Sequence, residues 1–301
     1  MNQSVGPRLS IGLPVAGQVV GHRPAQLIEI AKMAEAHGVD TVVAVDHVVM
    51  GERFDRYRWG TFRFPQGTPW LEPLTLLSTV AGATTTLRLA TGILIAPLRP
   101  ATLLAKTAAT LDQLSLGRLE LGVGTGWQVE EYESMDVDFS QRAQVLDDTI
   151  EACQALWAPS PATVRTASVS FERIWCDPKP VQPGGPPILF SGELTRRNLD
   201  RISTHGQGWI PIMGAQPDDV ADGIATIRTR WLEAGRDPDD LRVRMPVKVH
   251  RGDLASTLAG APALVDAGVT EINVEMAAFV STIDDAAPWF ADLARRWAAL
   301  W

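Results

Sequence analysis

Few residues in this 301-residue chain could do chemistry. Five histidines (His22, His37, His47, His205 and His250) form no H-x-H or H-E-x-x-H pair, and Cys153 and Cys176 stand far apart. Metal sites are built on such close spacings, so no metal is expected. There is no G-x-S-x-G elbow and no cysteine in a glycine-rich turn, so no activated nucleophile is visible. What remains is Asp46-His47, an acid and an imidazole at the end of the β-branched run Thr41 to Val45. An imidazole titrates near neutrality and suits proton transfer. The plainer alternative is that Asp46 caps the next element and His47 is a surface loop residue.

Three glycine positions deserve the same two-sided treatment. Gly122-Val123-Gly124-Thr125-Gly126-Trp127 carries glycine at alternate positions. Such a backbone could approach a flat ring or a phosphate closely, or simply make a tight turn. Ser191-Gly192-Glu193 enters a helix starting near Thr195, where N–H groups could hold a phosphate. Ser191 or Thr195 could equally be an ordinary N-cap. Gly92-Ile93 lies inside an apolar run, where glycine often marks a bulge or a close ligand. Trp59, Trp70, Trp127, Tyr132 and Trp209 are either core or pocket wall.

The elements that must position these residues alternate regularly. Short apolar runs read as buried parallel strands: Leu9 to Leu13, Thr41 to Val45, Leu87 to Ile95, Arg118 to Val123, Pro187 to Phe190, Gly208 to Ile212, Val243 to Val249 and Glu271 to Val274. Between and after them come amphipathic runs: Pro24 to Ala36, Glu72 to Thr85, Ala101 to Leu114, Gln141 to Trp157, Thr195 to Thr204, Pro217 to Ala234, Leu254 to Ala267 and Ile283 to Leu300. Eight strands each followed by a helix predict an α/β fold, a (β/α)8 TIM barrel occupying 1–301 as one domain; a doubly wound open sheet is the rival. Two connections are long. Asp46 to Leu71 follows strand two and carries Phe54, Arg56, Tyr57, Arg58, Trp59, Phe62, Arg63, Phe64 and Trp70. Pro159 to Gly185 precedes strand five and contains a possible hairpin, Val164 to Trp175. The first leaves the C-terminal end of a strand, the active face of such barrels.

Composition narrows the partners. The net charge of −8, with no basic run, argues against a nucleic-acid surface. No apolar stretch reaches the roughly 18–20 residues of a membrane span. Met1 to Ser10 has no apolar h-region, so no signal peptide is expected. Two cysteines leave no disulfide framework, and a reducing, cytoplasmic setting is expected. The runs containing Leu74, Leu76, Leu77, Val80 and Ala81, and Leu103, Leu104, Ala108 and Leu111, look apolar on more than one face, which suggests a homodimer or burial under neighbouring helices.

Taken in order, several pieces resemble one family. From Thr68 to Glu133 run a Glu72-Pro73 helix start, the Thr91-Gly92 strand, the Arg99-Pro100 turn, a helix ending Thr110-Leu111-Asp112-Gln113-Leu114-Ser115-Leu116-Gly117-Arg118, and the loop closing on Trp127. Asp138 to Trp157, Pro186 to Ile202 and His205 to Ile212 continue the match. The sequence is similar to the luciferase-like monooxygenase superfamily, in its branch of coenzyme F420-dependent oxidoreductases. The resemblance implies a (β/α)8 barrel binding a deazaflavin at the C-terminal ends of its strands. It implies that His47 moves a proton beside the ring, while Asp46 orients His47 or meets the ring. Gly92-Ile93 then matches a non-proline cis peptide behind the ring. Gly124, Thr125 and Gly126 match the loop beside it, and Ser191, Gly192 and Glu193 the turn that takes the phosphate-bearing tail. Sugar-phosphate dehydrogenases of that family carry a glutamate where Trp127 stands. An apolar or aromatic small-molecule substrate, walled by Trp59, Trp70 and Trp127, fits the indole better. The resemblance leaves as alternatives a monooxygenase using reduced FMN and oxygen, and a non-catalytic flavin- or deazaflavin-binding barrel.

Overall fold

The computed structural model describes residues 6–301. Residues 1–5, where the stretch searched for a leader begins, lie outside them. In chain order the elements are β1 (Arg8–Gly12), α1 (Gln26–Ala36), β2 (Thr41–Ala44), α2 (Pro73–Ala83), β3 (Arg88–Thr91), β4 (Leu94–Ile95), α3 (Ala101–Leu114), β5 (Leu119–Gly124), α4 (Val129–Ser134), α5 (Arg142–Trp157), β6 (Ala162–Arg165), β7 (Ser170–Ile174), β8 (Ile188–Ser191), α6 (Arg196–Thr204), β9 (Gly208–Ile210), α7 (Pro217–Glu233), β10 (Arg242–Pro246), α8 (Leu254–Leu258), α9 (Ala261–Asp266), β11 (Glu271–Glu275) and α10 (Ala286–Trp297).

The strands are hydrogen-bonded in the order β3-β2-β1-β11-β10-β9-β8-β5-β4, and β3 also pairs with β5. With β3 and β4 counted as one interrupted strand, this is the parallel (β/α)8 barrel. Burial on both faces explains why the strands read as continuous apolar runs. All six residues of β5 are buried, as are all four of β2. The two insertions fall where the sequence places them, after β2 and before β8, and β6 and β7 form the antiparallel hairpin.

By backbone contacts the chain divides into two units. One gathers the chain up to Val43, Thr86–Arg88 and Leu189–Trp301. In it β1 pairs with β2 and β11, and β10 with β9 and β11; Ile11, Ile30, Ile272 and Val274 form its dry interior at 0% exposure. The other unit comprises Ala44–Thr85 and Leu89–Ile188. Its centre is β3, β4 and β5 under α2, α3 and α5, with Leu77, Leu89, Leu94 and Ala105 fully buried. A buried leucine contributes roughly 2 kcal/mol by area. Asp112, buried in α3, accepts hydrogen bonds from Val181 N–H, Gln182 N–H and Gln182 Nε2, pinning the second insertion along that helix. On α3, Leu104, Ala108 and Leu111 are buried while Leu103 and Leu114 are exposed; on α2, Leu74, Leu77, Val80 and Ala81 are buried.

Element ends depart from expectation for identifiable reasons. The third strand is broken between Thr91 and Leu94 at a cis Gly92-Ile93 peptide. The sixth strand stops at Ile210, before Pro211, which has no N–H to continue a ladder, and the seventh ends at Pro246. The run Leu254 to Ala267 is two helices parted at Gly260. The short helix α4 was not foreseen.

Candidate active site

Of the catalytic, cofactor and substrate-wall residues that the resemblance implies, all but Ser191, Gly192 and Glu193 lie in the second unit. Asp46 and His47, adjacent in the chain, have different partners. Asp46 has a fully buried side chain. Its Oδ2 accepts Ile95 N–H at 2.8 Å and Arg99 Nη1 at 2.7 Å, and its Oδ1 accepts Arg99 Nη2 at 3.0 Å. Arg99 Nη2 also donates to Glu72 Oε1 at 2.8 Å. Glu72 is itself the N-cap of α2, its other oxygen accepting Thr75 N–H at 2.7 Å. Burial pulls the Arg99 guanidinium down, but its bonds to Asp46 and Glu72 outweigh that and hold it above its ordinary value. The bonds to Asp46 thus come from Arg99 and the Ile95 backbone. Asp46 anchors the start of β4 and the turn behind it.

His47 is bonded to a residue that the sequence analysis does not single out. Its Nδ1 lies 3.2 Å from Glu131 Oε2, and Glu131 Oε1 accepts Val48 N–H at 2.6 Å. The Glu131 side chain is fully buried. It comes from α4, and that helix and the residue before it supply two clamps. Tyr132 is buried, and its hydroxyl donates to the carbonyl of Thr125. Burial pushes the Tyr132 hydroxyl far up, so it stays a donor. Just before α4, buried Gln128 accepts Gly51 N–H at 2.8 Å. Gly51 has to be glycine: a Cβ there would stand 2.6 Å from Glu130 Cβ.

The glycine loop is shaped by the same neighbours. Gly124 ends β5 opposite Ile95. Gly126 has φ +62°, and a Cβ on it would meet Ile95 Cδ1 at 3.0 Å, so the loop lies tight against β4. Gly92 N–H donates to Ala44 O at 2.8 Å, tying the cis turn to the end of β2.

Aromatic rings from the loop after β2, and Trp127 from the loop after β5, stand against His47. Trp70 stands 4.7 Å from the imidazole centroid, Phe62 6.1 Å and Trp127 6.4 Å, all edge-on. Phe62 also meets Phe54, Tyr57, Phe64 and Trp127 at 5.1 to 5.7 Å. Offset pairs of this kind add about 0.5–1.5 kcal/mol each. Trp59 is 40% exposed and touches Tyr57. Burial raises the Tyr57 hydroxyl, with Arg63 pulling the other way. Trp70 Nε1 is buried and has no acceptor.

Ser191, Gly192 and Glu193 belong to the first unit. Thr195 is the N-cap of α6, accepting Asn198 N–H at 3.2 Å. Asn198 Nδ2 donates to the carbonyls of Ser191 and Glu193, and Trp209 Nε1 to that of Gly192 at 2.8 Å. Gly192 has φ +113°, and Asn198 Oδ1 is buried without a partner. Among the described residues no group of three or more His, Cys, Asp or Glu could hold a metal ion. Nor is any helix among them long and apolar enough to cross a membrane.

Comparison with known proteins gives the family. Uncharacterized protein Rv0953c of Mycobacterium tuberculosis (strain ATCC 25618 / H37Rv) is 30% identical over 270 residues, 88% of this chain and 92% of that protein. F420-dependent glucose-6-phosphate dehydrogenase of Nocardia farcinica (strain IFM 10152) is 28% identical over 254 residues, 80% of this chain and 68% of that one. Among solved structures, monooxygenase RslO1 from Streptomyces bottropensis superposes with a TM-score of 0.74 at 19% identity, covering 96% of this chain and 98% of that one. The family profile described as luciferase-like monooxygenase matches residues 9–274. On this span, and on the barrel that carries it, the chain is an oxidoreductase belonging to the luciferase-like monooxygenase family.

Proposed function

We propose that this oxidoreductase transfers a hydride between coenzyme F420 and a small apolar or aromatic organic molecule, and that His47 moves the accompanying proton. The carrying observation is the setting of His47: one ring nitrogen tied to a buried carboxylate, the ring walled by Trp70, Phe62 and Trp127. Positioned acid–base catalysis needs an imidazole fixed in orientation and shielded from bulk water.

One feature supports the fit of a flat tricyclic ring: Trp70 Nε1 is a buried donor without an acceptor. Gly92, Ile93, Gly124, Thr125 and Gly126 would hold the ring, with Asp46 contributing through the Ile95 backbone. When bound, a deazaflavin supplies a hydride at its C5 and reacts poorly with oxygen. The chain's own tasks are then positioning, water exclusion and one proton. Trp127, Tyr57, Phe62 and Trp70 offer ring faces and edges rather than the dense hydrogen-bonding groups that sugar hydroxyls require, which favours an apolar or aromatic substrate.

The test is titration of the purified protein with oxidised coenzyme F420 and with FMN, followed by the fluorescence of each ring. Saturable binding of F420 in preference to FMN is expected. His47→Gln should keep that binding and lose roughly 10²–10⁴-fold in turnover. Preferential FMN binding with oxygen-dependent turnover would replace the reading by a flavin monooxygenase. F420 binding with no hydride transfer across a broad panel would leave a cofactor-binding protein.

A further inference from the structure

We infer that Glu131 is a positioning residue that fixes the tautomer of His47, placing the ring proton on Nδ1 and presenting Nε2 as a bare acceptor. The Glu131 side chain is 0% exposed, so its oxygens are satisfied within the protein. Oε1 accepts Val48 N–H at 2.6 Å and Oε2 faces His47 Nδ1 at 3.2 Å. A carboxylate only accepts, so Nδ1 must donate, and in the neutral ring Nε2 then carries no hydrogen. The bond to Val48 adds a second constraint. One carboxylate grips the backbone immediately after His47 as well as its ring, so rotation of the imidazole would sacrifice the ring bond while the backbone stayed in place. Around the rest of the ring stand Trp70, Phe62 and Trp127. Their only polar atoms are indole N–H donors, and none can take a proton from Nδ1 or Nε2.

The chemical consequence rests on the proton-transfer role proposed for His47, but the tautomer does not. In the neutral enzyme His47 would begin each turnover as a proton acceptor at Nε2, and would donate from the same atom once protonated. Glu131 acts through His47 and does not touch the reacting atoms.

The variant that separates positioning from bulk structure is Glu131→Gln, which is isosteric. Val48 N–H still requires an acceptor, so the amide oxygen takes the Oε1 place and the amide NH2 is turned toward Nδ1. Nδ1 must now accept, and the ring hydrogen moves to Nε2. NMR of isotopically labelled histidine side chains in the cofactor-free protein reads the tautomer directly, with His47→Gln identifying the signal. The wild type should show His47 as the Nδ1–H form and Glu131→Gln as the Nε2–H form, with turnover lowered about 100-fold or more and cofactor affinity unchanged. A wild-type Nε2–H tautomer, or a Glu131→Gln spectrum that keeps Nδ1–H, overturns the inference. Should far-UV circular dichroism show Glu131→Gln unfolded, the wild-type spectrum alone decides. The expected tautomers in a protein that never turns over F420 would support the inference and sink the functional reading instead.

Discussion

Replacing Arg99 by methionine should destabilise the protein by about 3–5 kcal/mol, and removing the charge of Asp46 as well should recover part of that loss. The magnitude comes from where the pair sits. The Asp46 side chain is 0% exposed and that of Arg99 13%. Arg99 supplies two of the three hydrogen bonds that Asp46 accepts, the third being Ile95 N–H. Methionine keeps much of the packing of the arginine stem but removes the guanidinium fork. A carboxylate is then stranded in the interior with one backbone donor, a change far larger than the 0–1 kcal/mol or so of an exposed pair. Asp46→Asn alone would set an amide N–H against a guanidinium N–H and should cost about 1–3 kcal/mol. The double variant strands no charge, since the asparagine oxygen can keep Ile95 N–H, so its cost should fall short of the sum by about 3 kcal/mol and lie below that of Arg99→Met alone. Urea unfolding followed by circular dichroism and by indole fluorescence measures all three. An Arg99→Met variant within 1 kcal/mol of wild type, or strict additivity, would show that Asp46 is not a buried structural anion. It would then be open to meet a ligand, the role its place beside His47 suggests in the sequence.

Two further outcomes follow from the same neighbourhood. Burial tends to raise the Glu72 carboxyl, but the bonds from Arg99 and from Thr75 outweigh it and hold it below the ordinary 4.5. A depressed carboxyl lends stability that is complete above its unfolded value and lost as pH falls through its folded one. The gap in melting temperature between wild type and Glu72→Gln should therefore be full near neutrality and close below about pH 4.5; a gap that does not narrow with acid contradicts the assignment. Gly51→Ala forces a Cβ to 2.6 Å from Glu130 Cβ, at the point where Gln128 pins the aromatic loop. Overpacking of this kind costs about 1–3 kcal/mol. The loosened loop should be cut faster by trypsin at Arg53, Arg56, Arg58 and Arg63, and unchanged cleavage would mean the clamp does not hold it.

The barrel was legible in the sequence because its physics is local and repeated. A parallel strand buried on both faces has to be apolar throughout, and the helix that covers it has to be apolar on one side. Glycine at position 92 was also legible as an interruption, since nothing else in that run explains a residue without a side chain. The wiring of the site was not, and the reason lies in sequence distance. Asp46 finds Arg99 across 53 residues, and His47 finds Glu131 across 84. Nothing in the dipeptide Asp46-His47 declares either partner, and their adjacency misleads. Neighbouring side chains on an extended segment point to opposite sides, so an acid next to an imidazole is poorly placed to orient it. That alternation was available from the start, and it directs the search for the imidazole's partner to another loop of the same barrel face. The glycine-rich segment at the end of β5 leads into such a loop, and Glu130-Glu131 follows Trp127 after two residues. The helix that carries Glu131 is only six residues long, too short for a helical period to register. An acid that looks idle beside a glycine loop is therefore a better candidate for orienting a catalytic imidazole than the acid next to it in the chain.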